Sequence, residues 1–85
     1  MHTIETVDVW IKGETKPRKR RYRVSWPDND DWKDDPNSEV FCCEMTDADA
    51  NPPTWKSLGC YSTKSSAQKA ADVDVGYDIK DDQWS

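Results

Sequence analysis

The stretch Lys16–Asp35, KPRKRRYRVSWPDNDDWKDD, decides how this chain folds, because its strongest basic run and its strongest acidic run lie back to back with one strand between them. Tyr22, Val24 and Trp26 alternate with Arg23 and Ser25, the period-two pattern of a half-buried strand with those three side chains on one face. Pro27 ends the strand. The segment that follows, Asp28–Ser38, is dominated by acids and amides, with Lys33, Pro36 and Ser38 and with Trp32 as its sole large apolar side chain, so an exposed acidic loop is expected over 27–38.

Upstream of that stretch, Thr3–Lys12 (TIETVDVWIK) alternates as well, with Val7, Val9 and Ile11 on one face and Thr6, Asp8 and Trp10 on the other, which describes an antiparallel strand with one wet side. Gly13 allows a positive φ and Pro17 cannot donate to a ladder, so 13–17 is a turn and the strands at about 3–12 and 18–26 form a hairpin. Downstream, Val40–Met45 restores strand chemistry over about 39–46, with Phe41, Cys43 and Met45 facing inward. Pro52 and Pro53 rule out continuing helix or ladder, and a fourth strand is expected at about 54–61, interrupted locally by Gly59.

After Tyr61 the period changes. Ser62 or Thr63 can cap a helix in which Ala67, Ala71, Val75 and Ile79 recur every four residues, with Ala70 and Val73 beside them and Gln68, Lys69, Asp72 and Asp74 on the exposed side. The helix should span about 63–75, close on Gly76 and release 77–85 as an acidic tail in which Asp78, Asp81, Asp82 and Trp84 are exposed. The expected fold class is α+β: an antiparallel β-sheet of three to four strands in a meander, with one C-terminal helix on the face holding Val7, Val9, Ile11, Tyr22, Val24, Phe41 and Leu58.

With 85 residues the chain forms one domain, 1–85, and a domain this small buries a modest share of its surface, so its few large side chains must do most of the burying. Five Trp offset a composition in which charged residues equal the hydrophobic ones at 34% each. The net charge of −5 conceals a split: residues 1–27 carry seven Lys/Arg against three acids, and residues 28–85 five against fourteen. That asymmetry bears on partners rather than on fold, and an acidic whole disfavours a free-standing nucleic-acid or membrane binder. Cys42 and Cys43 are adjacent and so point to opposite faces of a strand; with Cys60 the odd count leaves at least one free thiol. Without an apolar leader or a long apolar run, the expectation is a reducing cytoplasm in which all three thiols serve as small buried hydrophobes.

Two constellations carry the functional expectations. The basic run Lys16, Arg18, Lys19, Arg20, Arg21 and Arg23, interleaved with Tyr22, has the makings of a nucleic-acid contact through phosphate-binding cations and a stacking ring; Lys19, Arg20, Arg21, Tyr22 and Arg23 are its core. Its other readings are a charged hairpin edge that discourages aggregation, an internal partner for the acidic loop, or a surface for an acidic protein. The acidic run Asp28, Asp30, Asp31, Asp34, Asp35 and Glu39 around Trp32 can imitate a row of phosphates with an aromatic anchor at its centre. Calcium is disfavoured because the run, counted from Asp28, has Lys33 where a calcium loop has its sharp-turn glycine. Zinc fails on ligand count and spacing, and the single histidine, His2, leaves a Cys or Ser nucleophile without a rigidly held base. Neither an enzyme nor a resident cofactor or metal is expected.

The segment Leu58–Ala71, LGCYSTKSSAQKAA, resembles the end of a double-stranded-RNA-binding domain, where a strand leads through Gly and Ser/Lys into an Ala-rich helix. Lys64 and Lys69 are its sole bases, and Asp72 and Asp74 follow, so the resemblance implies the geometry of a helix lying on a meander and not RNA binding. In size and make-up the chain also resembles the small phage-encoded inhibitors of host defences, such as the anti-CRISPR proteins; the residues that carry this are the Trp-bearing run Asp28–Asp35 and the acidic tail after Asp78. That resemblance implies a stoichiometric inhibitor, a DNA mimic that blocks a larger nucleic-acid-binding host protein or complex in the host cytoplasm. On this reading Asp28, Asp30, Asp31, Trp32, Asp34 and Asp35 bind the partner. The alternatives are a nucleic-acid-binding module using the hairpin Lys16–Arg23, and a structural or assembly protein.

Overall fold

A computed structural model describes residues 2–13 and 15–85, with the side chain of His2 outside the description. The order of elements is β1 (His2–Trp10), β2 (Lys19–Pro27), β3 (Phe41–Asp47), β4 (Lys56–Tyr61) and α1 (Lys64–Val75), with single 3-10 turns at Asp31–Asp34 and Asp81–Gln83. The four strands form one antiparallel sheet in the order β1-β2-β3-β4, the meander expected from the sequence, and α1 packs on one face of it. Among the described residues no helix is long and apolar enough to cross a membrane.

Register follows from which side chains must be inside. Val7 stands opposite Tyr22, and Val24 opposite Cys43 and through it Gly59, so successive strands put their apolar set on the same face. The core on that face consists of Val7, Val9, Tyr22, Val24, Phe41 and Cys43 from the sheet, covered by Ala67, Ala71 and Val75 of the helix. Two alanines at the contact let the helix axis come close to the sheet, which is how a short helix excludes water from so few side chains. Thr63 caps α1 by accepting a bond from the Ser66 amide at 3.1 Å. Gly76 closes it in the left-handed conformation with φ of 91°, where an added Cβ would meet the Lys12 side chain at 3.3 Å.

Several expectations need correction. β1 ends at Trp10, although the Ile11 amide still bonds the Arg18 carbonyl at 3.1 Å; the Lys12 amide turns to the Val75 carbonyl at 3.2 Å, and Ile11 is half-buried. Leu58, half-buried, does pack against the core as expected, although a register shift between Cys43 and Glu44 leaves it without a partner on β3. Val73 is 76% exposed, whereas Asp72 and Asp74 turn inward: Asp72 accepts from the Ile79 amide at 3.0 Å and Asp74 from the Tyr22 hydroxyl at 2.6 Å. The tail does not stream into solvent. Ile79 and Trp84 are buried at 6% and 8% exposure, and Ser85 exchanges two main-chain bonds with Thr6 at 2.8 and 3.0 Å, laying 79–85 along the outer edge of β1.

The cysteines differ most. Cys43 is a buried free thiol as expected, but Cys42 and Cys60 form a disulfide. They stand directly opposite each other on β3 and β4, on the face away from the helix, with Cα atoms 4.0 Å apart. The spacing of 18 residues carries no signal for this; only the meander brings the two positions together.

Candidate functional site

Alternation divides the basic run between the two faces of β2, which breaks it up as a single surface. Tyr22 is fully buried and Arg20 lies on the same inward side, where its guanidinium meets Asp74 at 2.9 Å. Burial, and then the bond to Asp74, push the Tyr22 phenol well above its ordinary range, so this ring is a neutral core donor and has no face free to stack on a base.

Lys19, Arg21 and Arg23 point outward, and each is already engaged. Arg21 grips Asp8 with two bonds of 2.8 and 3.2 Å, and these raise its pKa further. Arg23 bonds Glu44 at 2.9 Å and lies 4.0 Å above the Trp55 ring, while the Lys19 ammonium sits 4.9 Å from the Trp10 ring. Arg20, Arg21 and Arg23 thus pair with acids of α1, β1 and β3.

The acidic loop is organised around Trp32. Its ring makes an edge-on contact with Phe41 at 5.0 Å, next to Trp26, and its indole N–H is buried without an acceptor. Trp32 therefore holds the loop against the sheet. Its expected role as a projecting anchor is corrected, because the apolar surface at the open end of the core takes the ring first. With the ring turned in, the single 3-10 turn Asp31–Asp34 turns its polar residues out, and Asp28, Asp30, Asp31, Asp34 and Asp35 are all exposed.

Local bonds stiffen the loop. The Asn29 side chain accepts from the Asp31 amide at 3.3 Å, and Asp35 from the Asn37 amide at 3.0 Å. Asp30 pairs with Lys33 at 2.8 Å across a solvent-exposed gap, a contact worth little. Among the described residues Asp31, Asp34 and Asp35 make no ion pair. Three further acids acquire roles that the sequence reading did not give them: Asp8 and Glu44 face Arg21 and Arg23 directly across the ladder, a signal legible once register is known, whereas Asp74 reaches β2 from the helix with no local cue.

No group of three or more His, Cys, Asp or Glu residues capable of holding a metal ion occurs among the described residues. Neither a protein-family model, nor a curated protein, nor a solved structure matches the chain.

Proposed function

We propose that the protein is a stoichiometric inhibitor that binds, through the aspartates of 28–35, the phosphate-holding cations of a larger nucleic-acid-handling host complex, in the manner of anti-CRISPR-type proteins. The observation that supports this reading is the division of charge: Arg20, Arg21 and Arg23 are spent on Asp74, Asp8 and Glu44, which leaves the loop's aspartates exposed on a braced turn. Exposed carboxylates such as Asp31, Asp34 and Asp35, which make no ion pair among the described residues, meet Lys and Arg with long-range attraction, and so speed encounter and exclude anionic competitors.

Trp32 serves this surface from beneath by fixing where the carboxylates point. No catalysis is involved. The encounter is assigned to the host cytoplasm; the Cys42–Cys60 disulfide is of a kind that persists in oxidising compartments, and β3 and β4 are joined by main-chain pairing besides it. The nucleic-acid-binding alternative is weakened by the burial of Tyr22 and by the ion pairs of the three arginines.

The test is capture of a complex from host lysate, followed by displacement of labelled duplex from the captured material by added protein. Displacement that fades as salt is raised, and that the combined Asp30→Asn, Asp31→Asn, Asp34→Asn and Asp35→Asn variant cannot reproduce, is the expected outcome. A folded quadruple variant that displaces nucleic acid as well as the parent would end the reading.

A further inference from the structure

On the sheet face away from α1 the register lines up one row across the strands: Ile4 stands opposite Ser25, Ser25 opposite Cys42 and Cys42 opposite Cys60. The row ends at Cys60, because β4 is the outer strand. The Cys42–Cys60 disulfide therefore lies between the interior of the sheet and its edge, and both residues border a groove of about 420 Å³ on that face. Cys60 is exposed and Cys42 half-buried.

Access decides which sulfur of a disulfide an attacking thiolate takes. Cys60 is approached from beyond the outer strand, whereas Cys42 is flanked by Ser25 and, behind it, Ile4. Cys43 stands apart from both. It points to the helix face and is fully buried, and that burial pushes its thiol up to about 12, so it supplies almost no thiolate for exchange.

We infer that Cys60 is a thiol-exchange site at which a dithiol reductant opens the Cys42–Cys60 bond, and that this bond is a redox latch on β4. The reductant's thiolate bonds to the Cys60 sulfur as the Cys60–Cys42 bond breaks, and the electron pair leaves on Cys42. The reductant's second thiolate then displaces Cys60 and closes its own disulfide. Two electrons and the two thiol protons of the reductant end on Cys42 and Cys60. This inference stands independently of the reading of the acidic loop.

The latch matters because β4 is weakly held otherwise. The register shift between Cys43 and Glu44 interrupts its ladder with β3, leaving Gly59, Cys60 and Tyr61 paired with Cys43, Cys42 and Phe41 as a separate short piece. The cross-link spans 18 residues of sequence, and closing a loop of that size raises the folding constant on the order of 100-fold. For a domain this small that is a large share of its stability. With Cys43 on the opposite face, reoxidation of the folded protein has a single pairing to choose.

The experiment uses the full oxidised chain. Brief exposure to 2-mercaptoethanol, rapid alkylation of free thiols and peptide mass mapping should find the mercaptoethanol adduct about tenfold more often on Cys60 than on Cys42, which takes the alkyl group instead. Equal adducts, or an excess on Cys42, overturn Cys60 as the point of attack. Dithiothreitol under folding conditions should open the bond, lower the folding constant on the order of 100-fold in urea unfolding, and speed amide exchange in β4 more than in β2. A bond that survives dithiothreitol, or a reduced protein of unchanged stability, overturns the latch. After removal of the reductant in air the Cys42–Cys60 pairing should return, equally in the parent and in Cys43→Ala; a disulfide containing Cys43 overturns the separation of the three thiols.

Discussion

Tyr22 shows what one residue's surroundings can do to its meaning. In the sequence it is an aromatic among cations; in the fold it is fully buried, and its hydroxyl and the Arg20 guanidinium both converge on Asp74. Asp74→Ala strands both donors in a partly dry site, whereas Tyr22→Phe removes one bond and its donor together, so we expect losses of about 2–3 and about 1 kcal/mol respectively in urea unfolding. Equal effects of the two changes would show that Asp74 is not the shared acceptor.

Cys43 makes a second residue-level prediction. Burial, with Asp74 and then Glu44 nearby, pushes its thiol up to about 12. The folded state keeps that proton after the unfolded chain has lost it, so this contribution is fully present below the unfolded thiol's ordinary pKa and is lost as pH rises from there toward the folded value. Stability should fall by roughly 1.5 kcal/mol between pH 8 and pH 10, and most of that fall should be gone in Cys43→Ala, the remainder near pH 10 belonging to groups such as Tyr22. A Cys43→Ala variant with the same alkaline slope would assign the slope elsewhere.

At the scale of elements, the strands and the helix were legible because each repeats a simple period: two for Val7 and Val9 or Tyr22 and Val24, and near four for Ala67, Ala71 and Val75. The tail was not. Asp78–Ser85 reads as an acidic extension, yet Trp84 enters the core and Ser85 pairs with the edge of β1. A lone Trp among acids has no period to betray its burial, and the strand edge that its neighbour Ser85 pairs with lies at Thr6, near the other end of the chain. Trp84→Ala should therefore cost about 3 kcal/mol and speed amide exchange at Thr6, whose N–H donates to Ser85. A variant of parental stability would mean that the tail docks without contributing. The same limit applied to Cys42 and Cys60, whose meeting depends on the register of β3 with β4.

For the whole molecule, the two opposite charge runs do not become two opposite faces. The basic run is cut in half by strand alternation, and Arg20, Arg21 and Arg23 pair with acids of other elements, while the acidic run stays together because it is a loop. A loop has no alternation to divide it, and this is why the acidic candidate stayed contiguous and the basic one did not. What the sequence determined by itself was the inventory: the strands, the helix, their order and the periodic inward residues such as Val7, Val9, Tyr22, Val24, Ala67 and Ala71, all consequences of local periodicity and of breakers such as Pro27, Pro52 and Gly76. What only the tertiary structure decided was pairing: Cys42 with Cys60, Asp74 with Tyr22, Trp32 with Phe41, Trp84 with the core. Periodicity is a property of neighbours along the chain, and these contacts join residues that become neighbours only once the sheet is assembled.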